Sequence, residues 1–222
     1  MRRIFAWILC LSLMVVPVRA EETKYVVLTF DDGPSGRFTR RLLDGLAERD
    51  VKATFLLCGY RIESYGKEAQ RIWEEGHEIG IHGYSHDSMC PMSQEEITRE
   101  IEKTAALLPQ GCEPAFVRPP GGLCSDAAYR ASAEAGLAIL SWSVDPKDWA
   151  CNDADEITKS VVTRVKDGDV ILLHDMSDSS VTTALAIVDI LQDRGFRFVT
   201  ASELAEIKGI TPEPGREYFS FS

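Results

Sequence analysis

The chain has 222 residues, enough for one domain with a full hydrophobic core and too few to favour two. Hydrophobic residues at 45% and charged residues at 27% exclude a disordered or fibrous chain. A formal net charge of −11 excludes a nucleic-acid binder, which needs a basic surface, and suits a neutral or cationic substrate.

In chain order, Arg2 and Arg3 precede an apolar run over residues 4–16 and the small-residue stretch Val18-Arg19-Ala20. This is the pattern of a signal peptide cleaved after Ala20, and the run is shorter than the roughly 20 residues a spanning helix needs. The expectation is an exported protein, secreted or associated with the cell envelope, with a mature domain over 21–222 and no stable membrane insertion. Short β-branched runs then alternate with helix-period stretches, as in a parallel α/β sheet. Strands are predicted over 25–30, 53–57, 78–81, 115–117, 137–144, 169–173 and 196–199. Helices are predicted over 38–48, 68–75, 94–108, 126–136, 155–166 and 181–194, with a short one opening at Ser202. Ser93 with Glu96 forms a capping box, Asp126 and Asp155 are expected N-caps, and the tail over 212–222 reads as irregular.

The polar residues collect at one end of these strands. Asp31 and Asp32 follow the first, His82 the third, Arg118 the fourth, Asp145 the fifth and His174 the sixth. An open sheet would spread these ends along a line, whereas a barrel brings them to one mouth, so the seven-strand pattern is read as a barrel. Two adjacent carboxylates at Asp31 and Asp32 repel unless a cation or a shared proton relieves them, although alone they read as a turn of Asp, Gly and Pro. His82 and His86, four residues apart, can face one point, and imidazole with carboxylate suits zinc or a similar divalent ion. His77 precedes its strand and reads as structural. Arg118 can hold a carboxylate ionised, and His174 is a candidate proton donor.

Five segments occur in order: Thr29-Phe30-Asp31-Asp32-Gly33, His82-Gly83-Tyr84-Ser85-His86, Arg118-Pro119-Pro120-Gly121-Gly122, Asp145-Pro146-Lys147-Asp148-Trp149 and Leu172-Leu173-His174. Together they resemble the motifs of the polysaccharide deacetylase family, the NodB-homology domain of carbohydrate esterase family 4. The resemblance implies an α/β fold, a distorted, incomplete (β/α) barrel of about seven parallel strands. It implies one divalent metal ion, Zn2+ with Co2+ or Ni2+ as alternatives, held by Asp32, His82 and His86. Asp31 is then the base, Arg118 holds Asp31, Asp145 orients and charges His174, and His174 is the acid. Gly121 contributes to the oxyanion site through its backbone, while Trp149 and Leu172 line the acetyl pocket.

The implied reaction is removal of N-acetyl groups from an N-acetylglucosamine-containing polysaccharide, peptidoglycan or chitin-like, by a monomer. The alternatives are an O-deacetylase of the acetyl xylan esterase type and a catalytically silent sugar-binding homologue. Two positions depart from the family pattern: Gly83 stands where a hydroxyl-bearing residue steadies the histidine loop, and Gly121 where an aromatic residue forms a groove wall. Beyond the signal segment five cysteines remain, an odd number. Cys58 reads as a buried hydrophobe, and Cys124 is expected to pair with Cys90 or Cys151 across neighbouring loops.

Overall fold

In the computed structural model, which describes residues 23–122, 124–151 and 153–222, β1 (Lys24–Asp31) is buried on both faces along most of its length, as a central parallel strand must be. The chain continues through α1 (Arg37–Glu48), β2 (Thr54–Leu57), α2 (Gly59–Ser64), α3 (Gly66–Glu74), β3 (Glu78–Ile81) and α4 (Gln94–Ala105). It then forms β4 (Phe116–Val117), α5 (Asp126–Glu134), β5 (Ala138–Leu140), α6 (Ala154–Val162), β6 (Val170–His174), α7 (Asp178–Asp193), β7 (Phe196–Phe198), α8 (Ala201–Ile207) and β8 (Glu217–Tyr218). The expected signal segment lies outside the described residues. Among those described, no helix is long and apolar enough to cross a membrane.

All strand pairs are parallel, in the order β6-β1-β2-β3-β4-β5-β8, with β7 against the start of β1. A bridge from Val144 to Ile171 and another from Asp169 to Ser220 link the two ends without a full ladder. The result is the expected distorted, incomplete (β/α) barrel.

The two-residue period of a strand sorts the side chains into two shells. Leu28, Phe30, Phe55, Leu57, Ile171 and Leu173 face outward and pack beneath Leu42, Leu46, Ile187 and Leu191 of α1 and α7. Val27, Leu56, Phe116, Leu140 and Val170 face inward and fill the barrel. Because β1 and β6 pair Val27 with Val170, Thr29 with Leu172 and Asp31 with His174, the inward residues form layers that become polar towards the carboxyl ends. Gly80 keeps β3 close to its neighbours, since a Cβ there would lie 2.9 Å from the Phe116 carbonyl.

Two sequence expectations are revised and one helix is added. The tail is not irregular throughout: β8 pairs with β5, and Phe221, fully buried, plugs the inner cluster against Phe116 at a centroid distance of 6.3 Å. Helix α2 had no periodic signal, being six residues long and starting directly after β2. The N-caps expected at Asp126 and Asp155 are Ser125 and Asp153, whose oxygens accept from Ala128 N and from Asp155 and Glu156 N respectively. The two expected caps occupy the first helical turn instead, where the helix dipole favours an acid. Phe221→Ala should lower unfolding free energy by about 3–5 kcal/mol, the usual range for a buried Phe, read as a reduced urea midpoint. A loss under about 1 kcal/mol, below that range, would mean that the tail does not close the barrel.

Candidate active site

The inward positions at the tips of four strands deliver functional side chains to one end of the barrel: Asp31 from β1, His82 just beyond β3, Arg118 just beyond β4 and His174 from β6. A cavity of about 360 Å³ opens there, lined by Asp31, Asp32, His82, His86, Gly121, Trp142, Asp145, Trp149, Leu172 and His174. All the site residues expected from sequence therefore meet at this mouth except Arg118, which lies beneath it with no exposed surface.

Asp32, His82 and His86 offer ligand atoms that lie within 4.8 Å of one another. Asp32 Oδ1 is 2.9 Å from His86 Nε2 and 3.3 Å from His82 Nε2. His82 Nδ1 lies 2.7 Å from the Arg118 carbonyl and donates its proton there, which leaves Nε2 as a bare lone pair in the neutral ring. Asp32 Oδ1 is buried and has no hydrogen-bond donor. The Asp32 carboxylate raises the His86 pKa, so a positive charge is favoured at this point, and two imidazoles with a carboxylate are a zinc-type donor set for a divalent cation. Asp32 and His86 both hold left-handed backbone conformations, at φ 69° and 67°, a strain that surrounding contacts must maintain.

Asp31 stands outside this set. Arg118 Nη1 donates to Asp31 Oδ1 at 2.6 Å and to Thr29 Oγ1 at 2.9 Å, while its Nε and Nη2 donate to the carbonyls of Leu140 and Ser141 at 2.6 and 2.9 Å. Burial pulls the guanidinium pKa below its ordinary value, and Asp31 opposes that pull. The second carboxylate oxygen, Oδ2, stays 3.8 Å from His82 Nε2. A buried, hydrogen-bonded pair of this kind fixes orientation more than it adds stability.

The partner of His174 is not the one expected. Asp148, almost fully buried, accepts from His174 Nδ1 at 2.7 Å and from the His174 backbone N–H at 2.9 Å. Asp145 accepts from Lys147 N at 2.8 Å and lines the mouth without touching the imidazole. The reason is a turn: Lys147 has φ 58°, so the chain reverses and the fourth residue of the segment, not the first, reaches the tip of β6. Burial works against the imidazolium, but the hydrogen bond and charge of Asp148, with Asp31 and Asp32 behind it, push the His174 pKa up to about 9.

Sequence reasoning missed Trp142 and Asp175. The Trp142 ring lies 5.5 Å from the Arg118 guanidinium and underlies Gly122, where a Cβ would meet it at 2.4 Å. Asp175 is fully buried and accepts from Thr39 Oγ1, while its carbonyl accepts from Ser35 Oγ. It packs against Gly33, tying the turn after Asp32 to the end of β6, and burial raises its pKa to about 6. The His174-Asp175 sequence was the one available signal.

Gly121 has φ 71° and no heavy atom within 4 Å of a Cβ position. The expected disulfide is not present: Cys58, Cys90, Cys112, Cys124 and Cys151 are all unpaired, and Cys124 Sγ lies 3.7 Å from Glu217 Oε1. Neighbouring loops in a barrel share a mouth without bringing their tips to the Cβ separation of about 3.5–4.5 Å that a disulfide requires.

A carboxylate, an imidazole held protonated and a cluster of metal-ligand residue types around one cavity are an arrangement found in hydrolases. Comparison with known proteins narrows that class: the polysaccharide deacetylase model matches residues 19–140, and the chain belongs to that family of enzymes. It is 36% identical over 191 residues to a peptidoglycan-N-acetylglucosamine deacetylase of Bacillus cereus, covering 83% of this chain and 90% of that protein. Identity is 34% over 203 residues to the peptidoglycan-N-acetylglucosamine deacetylase PgdA of Listeria monocytogenes, covering 90% of this chain but 42% of that longer protein. Among solved structures, a family 4 acetyl xylan esterase from Clostridium thermocellum in complex with a cobalt ion superposes with a TM-score of 0.82 at 36% identity, covering 89% of this chain and 98% of that one.

His174 carries its proton below about pH 9 and loses it as pH rises through that value. Asp148→Asn removes the carboxylate that opposes burial, so the His174 pKa, followed by NMR titration of the imidazole, should fall to or below its ordinary value near 6.5. Asp145→Asn should leave it nearly unchanged, and the opposite pattern would return the partner role to Asp145.

Proposed function

We propose that the protein removes the acetyl group from N-acetylglucosamine units of peptidoglycan outside the cytoplasm, using one divalent cation, Zn2+ by preference, at Asp32, His82 and His86. The observation that carries this reading is the separation of two neighbouring acids: Asp32 joins the imidazoles, while the buried Arg118 holds Asp31 by Oδ1 and leaves Oδ2 at the cavity. An envelope substrate agrees with the relatives' activity and with the leader-like segment over 1–20.

A cation held by the three ligands would supply Lewis-acid chemistry, lowering the pKa of water and polarising a carbonyl. Asp31 Oδ2 takes the proton of the attacking water. The backbone at Gly121 offers an N–H to the developing oxyanion, and one such donor is typically worth about 2.7–4 kcal/mol. Leu172 and Trp149 border the space for the acetyl methyl. His174 then delivers its proton to the nitrogen as the carbon–nitrogen bond breaks. An amide requires that delivery, because an unprotonated amine leaves poorly.

The proton that Asp148 keeps on His174 therefore favours an amide substrate. O-deacetylation is the second reading, supported by the likeness to an acetyl xylan esterase. A silent sugar-binding protein is disfavoured because base, acid and all three ligands share one cavity.

Acetate release from peptidoglycan, chitin oligomers and acetylated xylan, each with and without a chelator, tests the proposal. Peptidoglycan should be the best substrate and chelation should stop its turnover, whereas faster release from xylan would favour the esterase. Asp31→Asn should keep its metal and lose most turnover; normal turnover would remove Asp31 as the base. His174→Ala should impair amides far more than activated esters, and equal losses would contradict its role as the acid.

A further inference from the structure

We propose that Glu100, on α4, is a positioning residue for the cation site: it fixes the loop that carries both imidazoles and thereby sets how tightly the metal is held. This inference rests on the cation-site reading above. His82 and His86 are joined by three residues, and the loop turns through left-handed conformations at Gly83, φ 77°, and at His86, φ 67°. Such a path is unfavourable for His86 unless contacts on either side hold it.

Those contacts form a clamp. On one side, the carbonyls of Gly83 and Tyr84 accept from the N–H groups of Gly59 and Tyr60 at 3.0 and 3.1 Å. On the other, a single oxygen, Glu100 Oε2, accepts from Tyr84 N and Ser85 N, both at 2.8 Å, and from Ser85 Oγ at 3.0 Å. Ser85 Oγ in turn accepts from Asp87 N at 3.2 Å. Glu100 forms no ion pair among the described residues, so this carboxylate is spent on the loop and not on a surface cation. Bonds from neutral donors to an ionised acceptor are about twice as strong as neutral ones.

The clamp also accounts for Gly83. A Cβ there would lie 3.4 Å from the same Oε2 and 3.1 Å from Met89 Cε, on a backbone that disfavours side chains. The steadying hydroxyl expected at position 83 is thus supplied by Ser85, and its acceptor comes from α4.

Losing a group that orients metal ligands typically costs about 10–100-fold in metal affinity. Metal-free wild-type, Glu100→Ala, Glu100→Gln and Ser85→Ala proteins would be titrated with Zn2+ against a competing chelator. Melting temperatures without metal and absorption spectra of the Co2+ forms would be recorded alongside. Glu100→Ala should raise the Zn2+ dissociation constant within that 10–100-fold range and alter the Co2+ spectrum while melting near the wild-type temperature without metal. Glu100→Gln, which keeps a carbonyl oxygen for the same three donors, should recover most of the affinity, and Ser85→Ala should fall between. Wild-type affinity in Glu100→Ala would overturn the inference alone, as would an affinity loss matched by unfolding of the metal-free variant when Glu100→Gln and Ser85→Ala bind normally. A wild-type protein that binds no Zn2+ would overturn the cation-site reading and this inference together.

Discussion

A guanidinium with no exposed surface lies at the centre of the site, and Arg118 survives there because strands on both sides satisfy it. Asp31 and Thr29 of β1 accept from it, as do the carbonyls of Leu140 and Ser141 at the end of β5. Removing such a charge from water costs several kcal/mol, and only a close counter-ion with further hydrogen bonds offsets that cost. Arg118 acts twice. Its side chain pins one oxygen of Asp31, and its backbone carbonyl accepts the Nδ1 proton of His82, which turns the other ring nitrogen towards Asp32. One residue thus orients both Asp31 and the imidazole of His82.

Around that residue the electrostatics are reciprocal. Asp31, Asp32 and Asp145 line one mouth with Asp148 buried behind His174, a concentration of negative charge that self-repulsion would oppose. Arg118 answers the first, the donor set of Asp32 invites a cation, and Asp148 is answered by the proton it keeps on His174. Asp145 accepts from the backbone N–H of Lys147 instead, so the acidity of the mouth is met group by group rather than by one shared counter-charge. Three of the four non-glycine residues with left-handed backbones among those described, Asp32, His86 and Lys147, lie at this rim; the fourth, Asp50, follows α1.

Much of this was legible beforehand. The alternation of β-branched runs with helical stretches located seven strands, and the observation that functional residue types sit at their carboxyl ends indicated a shared mouth. Asp31, Asp32, His82, His86, Arg118 and His174 were identified on that basis together with the family motifs. The acid partner was not, because Asp145 and Asp148 lie in the same short segment and differ only in how the chain turns at Lys147. The tail was missed for another reason: a two-residue strand carries no readable period, and β8 exists only because β5 offers it an edge.

What the sequence by itself determined was local: which residues are strand, which lie at the carboxyl ends, and which side chains can ligate, donate or accept. These follow from a two-residue period and from functional groups that do not depend on distant partners. Tertiary structure alone decided the pairings between them. Asp148 rather than Asp145 reaches His174, Glu100 rather than a residue of the loop itself holds the histidine loop, Phe221 fills the barrel, and the cysteines stay apart. Each is a contact between segments far apart in the chain or beyond a turn, where a shift of one residue or a few ångströms changes the partner and composition carries no record of it.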